Sequence, residues 1–148
     1  MADRFHFVRL ICIALLVSCS ATEKHSGCVV KVIDGDTIEV LMKSPNEKLR
    51  IRLFGIDAPE RGQAFYNSAK KFTASMVANK DVKLVVNNKD RYGRMVADVY
   101  LADGTHINAE IVKAGYAWHY EAYSDNVELA QWEVAARQKK LGLWQDTY

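Results

Sequence analysis

A chain of 148 residues, 49% hydrophobic and 26% charged, can build one compact domain with a true core and leaves no room for a separate regulatory domain. Its formal net charge of +2 is too small to steer a polyanion from a distance. Any affinity for phosphate must therefore come from cations placed locally, with Arg50, Arg52, Lys89, Arg91 and Arg94 as the available set.

Taken in chain order, the first segment stands apart from the rest. Arg4 and Arg9 precede the apolar run from Leu10 to Val17, and small residues follow. The run is shorter than the roughly 20 residues of a membrane-crossing helix, so the plan is that of a secretory signal over residues 1–21, with Asp3 out of keeping in its basic head. Two cleavage points compete. Leu16-Val17-Ser18-Cys19 is patterned like a bacterial lipobox, which would lipidate Cys19 and tether the domain to a membrane, whereas ordinary cleavage would fall near Ala21. Both place the domain 22–148 outside the cytoplasm. Loss of residues 1–21 removes two arginines and one aspartate and leaves a net charge of +1. Cys12 leaves with that segment and Cys19 lies at the candidate cleavage point, so Cys28 has no intramolecular partner in the mature domain and reads as a small apolar strand residue.

From Cys28 to about Lys43, β-branched residues run in two blocks broken at Asp34-Gly35, which predicts two strands and a tight turn. Ser44-Pro45-Asn46 turns the chain again. Leu49, Ile51 and Leu53 then alternate with Arg50, Arg52 and Phe54, a half-buried strand with both arginines opposite the aliphatics, ended by Ala58-Pro59. Phe65, Ala69, Phe72 and Met76 form one apolar stripe on a helix ending near Asn79. Val82, Leu84 and Val86 predict a fourth strand, and residues 95–101 a fifth, closed by the turn Asp103-Gly104. Ile107, Ile111 and Val112 suggest a short helix stopped by Gly115. A last helix carries Leu129, Trp132, Ala135 and Ala136, capped by Asp125 or Asn126 with Glu128 placed for a capping box, and ends at Gly142 with Trp144 folding back. Five strands, a helix after the third and helices at the end predict an α+β fold, a five-stranded OB-fold barrel with about three helices. A monomer is expected.

Asp36 and Asp57 each stand beside a turn at a strand end, where carboxylates can meet around a hard cation. Ala58, just before Pro59, can offer its carbonyl to the same ion. Glu60 follows Asp57 by three residues across the proline turn, within reach of one cleft, and a carboxylate there can act as general base. Arg52 lies among apolar neighbours and needs an anion, which a phosphate would supply, as would a salt bridge to Asp57 or Glu60. In Asp90-Arg91-Tyr92-Gly93-Arg94, Gly93 permits a tight turn that can aim Arg94 at the same phosphate, with Tyr92 free to contact a base or pack. Without the acids, the same barrel would read as a noncatalytic OB-fold module that binds single strands.

The words Asp34-Gly35-Asp36-Thr37, the run from Arg52 to Glu60, the run from Asp90 to Arg94 and the run from Asn108 to Ala117 resemble, in order and spacing, the micrococcal nuclease (thermonuclease) family over about Val29 to Trp144. The resemblance implies a calcium-dependent endonuclease that cuts DNA and RNA, preferably single-stranded or flexible, and leaves 3′-phosphate ends. It implies that Asp36, Asp57 and the Ala58 carbonyl hold one Ca²⁺, with Mg²⁺ the lesser alternative, that Glu60 is the general base, and that Arg52 and Arg94 grip the phosphate. The chain departs from the best-known member in having Ala58 where that protein has threonine, and a shorter loop from Arg61 to Tyr66. That member's substrate-side tyrosines have no clean counterpart between Trp118 and Tyr123.

Overall fold

A computed structural model describes residues 24–145 of the chain. The segment read as a signal, with Cys12, Cys19, both candidate cleavage points and the expected boundary between residues 21 and 22, lies outside the described residues.

The elements are β1 (Lys24–Asp34), β2 (Thr37–Met42), β3 (Lys48–Leu53), β4 (Ile56–Asp57), α1 (Tyr66–Val77), β5 (Asp81–Lys89), β6 (Met95–Leu101), α2 (Ile107–Lys113), β7 (Trp118–His119) and α3 (Val127–Gln138), followed by a 3₁₀ turn at Gly142–Trp144. Five strands close into a barrel in the order β1, β2, β3, β6, β5, with β5 returning to β1. Only β3 and β6 run parallel. This is the α+β, OB-type barrel that the strand pattern predicts. Period-2 alternation sends Val29, Ile38, Val40, Ile51, Leu53, Leu84, Ala97 and Val99 into one core, which Ile107, Ile111, Val112 and Leu129 extend from α2 and α3. Cys28, half-buried in β1, is a free thiol.

Several details differ from the sequence reading. The strand expected to reach Pro59 stops at Leu53: Phe54 donates its N–H to Ala97 O, Gly55 turns with φ 71°, and the chain re-enters as β4. The two residues of β4 pair with β7, Ile56 opposite His119 and Asp57 opposite Trp118, in a ribbon too short to leave a periodic signal. The most buried residues of α1 are Tyr66, Ala69, Thr73 and Val77, with Phe72 and Met76 of the expected stripe partly buried against the same core, while Phe65 sits before the helix at φ 63°. Tyr66 and Thr73 can face inward because their hydroxyls find partners there.

At the other end, Asn126 caps α3 by accepting from the N–H groups of Glu128 and Leu129. Glu128 is thus one position too early for a capping box, and Ser124 Oγ takes the Asn126 N–H instead. Helix α3 ends at Gln138, before Gly142, because Lys140 adopts φ 52°. Gly142 serves a different purpose: its backbone packs directly on that of Gly115, where neither could carry a Cβ. Trp144 folds back as expected, its ring 4.2 Å from the guanidinium of Arg137.

Candidate active site

The site begins at the two-residue loop between β1 and β2. Asp34 pairs with Thr37, leaving Gly35 and Asp36 to make the turn. A Cβ on Gly35 would lie 2.8 Å from that of Ala58 and 3.0 Å from that of Ala69, so only glycine lets α1 and the segment after β4 press against the turn. Helix α1 then holds it in place: Thr73 Oγ1 donates to Gly35 O at 2.7 Å, and the Tyr66 hydroxyl donates to Asp34 Oδ1 at 2.9 Å. Asp36 is 5% exposed. Its Oδ1 accepts from the Thr37 hydroxyl at 3.0 Å and its Oδ2 from the Ala58 N–H at 2.7 Å.

Arg52 of β3 pairs across the strands with Thr37 of β2 and ties these acids together. One terminal nitrogen meets Asp57 Oδ1 at 2.8 Å and Asp36 Oδ2 at 3.3 Å; the other donates to the carbonyls of Leu53 at 2.9 Å and Ile56 at 2.7 Å. Arg52 makes the salt bridge to Asp57 and lines the open cleft as well, so the two roles that the sequence offers as rivals are compatible. Glu60 follows on the exposed proline turn, where its N–H donates to Gln63 Oε1 and its carbonyl accepts from the Gln63 N–H.

The opposite wall is the β5–β6 turn. Asp90 organises it: Oδ1 accepts from the N–H groups of Tyr92 and Arg94, each at 2.9 Å, and Oδ2 takes the Arg94 Nε–H at 2.6 Å. Gly93 supplies the φ of 79° that the turn needs. Asn108, fully buried in α2, ties this wall to the first, donating to the carbonyls of Phe54 and Ala97 and accepting from the Val99 N–H. The two walls enclose a cleft of about 710 Å³ whose lining includes Asp36, Arg52, Asp57, Glu60 and Arg94. Ala58 is 3% exposed and stands behind the lining, its N–H on Asp36. Of the other cations, Lys89 and Arg91 line the cleft, while Arg50 faces a neighbouring hollow of about 530 Å³ with Glu47 and Lys89.

Sequence reasoning missed two contributions. Asp90 was read only as part of a turn, although an Asp four residues before Arg94 with Gly93 between is the signature of a side chain that closes its own loop. Tyr120 and Tyr123 also line the cleft, with ring centroids 4.8 Å apart and 40% and 68% exposure. They are brought there by the bond from the Tyr120 N–H to Gly55 O, a long-range contact no local pattern announces.

Electrostatically the two walls are opposites. Burial pushes the Asp36 carboxyl up from its ordinary range, against the opposing pull of Arg52, the Ala58 N–H and the Thr37 hydroxyl. Burial also pushes Asp90 up, but the Arg94 side chain, with the N–H groups of Arg94 and Tyr92, outweighs it and holds this carboxyl below its ordinary range. A buried carboxylate that burial penalises, with a second carboxylate meeting the same guanidinium, is an oxygen-donor set suited to a hard divalent ion.

Comparison with known proteins agrees with this geometry. Residues 50–146 match the family described as Staphylococcal nuclease homologue. The chain is 45% identical to an uncharacterized endonuclease of Escherichia coli O157:H7 over 120 residues, 81% of this chain and 77% of that protein. It is 42% identical to an uncharacterized endonuclease of Haemophilus influenzae over 137 residues, covering 93% and 76%, and 38% identical to a micrococcal nuclease of Shigella flexneri over 144 residues, covering 90% and 82%. The fold, the shared cleft and these likenesses converge: the chain belongs to the staphylococcal nuclease family and is, with it, a metal-dependent hydrolase of phosphodiester bonds.

Proposed function

We propose that this protein is an exported, calcium-dependent endonuclease that cuts flexible stretches of DNA and RNA, leaving 3′-phosphate and 5′-hydroxyl ends. The observation that carries the reading is the single cleft lined by Asp36, Arg52, Asp57, Glu60 and Arg94. Asp36, Asp57 and the carbonyl of Ala58 hold the ion, which when bound supplies Lewis-acid polarisation of the phosphate.

The chain's own groups do the rest. Glu60 accepts a proton from the water that attacks phosphorus, the bond from phosphorus to the 5′ oxygen breaks as the new P–O bond forms, and the departing oxygen takes a proton from solvent to become the 5′-hydroxyl. Asp90 engages Arg94 through Nε, which leaves the paired terminal nitrogens as a fork for phosphate oxygens. Arg52 presents its partly exposed guanidinium from the other wall, already oriented by two carbonyls and two carboxylates. The two cations stabilise charge that grows on the phosphoryl oxygens in the transition state. Tyr92, Tyr120 and Tyr123 offer exposed rings on which unstacked bases can lie, which favours single strands.

Cleavage of single-stranded DNA and of RNA by the domain 22–148 is to be measured with Ca²⁺, with Mg²⁺ and with chelator, and the product ends assigned by their need for phosphatase before extension. Calcium-dependent cutting of both polymers with 3′-phosphate ends is expected. Glu60→Gln and Arg94→Ala should each lower the rate by about 10²–10³ with the fold retained. Tight binding without cutting, under calcium and chelator alike, would restore the noncatalytic strand-binding reading. Export is checked by the mass of the mature N-terminus, which separates a lipidated Cys19 from cleavage near Ala21.

A further inference from the structure

Between the β4–β7 ribbon and α3, outside the lining of the cleft, lies a second group of side chains able to ligate a metal that the reaction does not use. His119 of β7, Glu121 of the loop that follows, and Glu133 of α3 each bring one ligand atom within 4.8 Å of the others. Two carboxylates near each other would mean little alone. The histidine is the exceptional member: it is 8% exposed, and among the described residues neither ring nitrogen has a hydrogen-bond partner. A buried imidazole with both nitrogens unsatisfied loses its bonds to water and gains nothing in return. Buried polar groups are almost always satisfied, so a group left bare and aimed at two carboxylates calls for a missing partner. A cation satisfies the nitrogen and both acids at once.

The donor set selects the ion. One imidazole and two carboxylates form the mixed nitrogen and oxygen set that binds Zn²⁺ at about 2.0–2.2 Å, whereas calcium takes only oxygens. Glu133 is already oriented for it, because Arg137 Nη2 holds its Oε1 at 2.8 Å, the outer-sphere bond that ligating carboxylates commonly have. Closing the three ligand atoms from within 4.8 Å to a tetrahedral separation of about 3.4 Å is eased by Glu121, which is exposed and has room to shift. The fourth position falls to water.

We propose that His119, Glu121 and Glu133 form a second, non-catalytic site for a borderline transition-metal ion, with zinc as its best occupant. Its place in the fold gives it a consequence. His119 pairs with Ile56, whose carbonyl orients Arg52, and Glu121 sits between Tyr120 and Tyr123. An ion here fastens the tyrosine-bearing loop to α3, so occupancy stiffens one wall of the cleft without entering it.

The test is binding rather than activity, and so stands apart from the reading of the catalytic site. Zn²⁺ is titrated into the calcium-saturated domain 22–148 by calorimetry, with the imidazole nitrogen resonances of His119 followed by NMR. One zinc per chain is expected, with a large shift of a His119 nitrogen. Glu121→Gln, an exposed change that cannot disturb the core, should weaken zinc at least tenfold, as should His119→Asn if it folds by circular dichroism. Asp36→Asn should leave zinc binding intact. Absence of zinc binding, affinity unchanged in Glu121→Gln, or loss of binding in Asp36→Asn would each overturn the proposal.

Discussion

Asp36 and Asp90 face each other across the cleft and carry opposite energetic signs. Ionised Asp36 is held against its burial, so in metal-free protein its folded pKa exceeds the unfolded one. The stability it contributes when protonated is lost as pH rises through the folded value. Asp36→Asn keeps an acceptor for the Ala58 N–H and lets the Thr37 hydroxyl turn round to accept. It should therefore stabilise the metal-free domain by about 1 kcal/mol at neutral pH while abolishing metal-dependent cleavage, and the gain should shrink as the pH of the urea melts is lowered. Asp90 behaves the other way. Its carboxyl is held below the ordinary range by Arg94 and Tyr92, so its contribution is present above about pH 3.9 and lost as pH falls through the lower folded value. Asp90→Asn keeps the oxygen that accepts from the two N–H groups but drops the charge facing Arg94. The loss should be about 1 kcal/mol at neutral pH, vanishing in acid, and the rate should fall along with it because Arg94 loses its anchor.

At the scale of elements, the site depends on how closely α1 approaches the first hairpin. Gly35→Ala would force its new methyl against the side chains of Ala58 and Ala69, neither of which can swing away. A loss of about 1–3 kcal/mol is expected in denaturant unfolding. Cleavage measured at temperatures where the variant is folded should fall further than stability alone explains, because the turn that moves carries Asp36. This dependence was hidden in the sequence. Thr73 and Tyr66 read as interruptions of an apolar stripe until their partners, Gly35 and Asp34, are seen more than thirty residues away in the chain. The strands of the barrel were legible because alternation needs only neighbours, and so were the acids and arginines, which sit at turns marked by Gly35, Pro59 and Gly93. The β4–β7 ribbon and the placement of Tyr120 and Tyr123 were not, since two-residue strands have no period and their pairing spans some sixty positions.

For the molecule as a whole, the near-neutral charge sets how it meets its substrate. A chain with a formal net charge of only +2 has little long-range pull on a polyanion, so binding is expected to rest on Arg52, Lys89, Arg91 and Arg94 in the cleft. With four phosphate contacts at roughly 0.7 each, the affinity of the Glu60→Gln variant for a single-stranded oligonucleotide, followed by fluorescence anisotropy, should fall with a log–log salt slope near −3. A much steeper slope would mean that cations outside the cleft share the load.

The two sides of this cleft also differ in mechanical character. The wall that bears Arg94 is the end of a continuous hydrogen-bonded sheet, β5 and β6, closed into the barrel. The tyrosine side hangs on the two-residue β4–β7 ribbon and the bond from Tyr120 to Gly55. Segments held by so few bonds open at a small fraction of the free energy of global unfolding. The tyrosine side is therefore expected to exchange its amide hydrogens faster than β5 and β6, and to be the side that yields when strands of different girth enter.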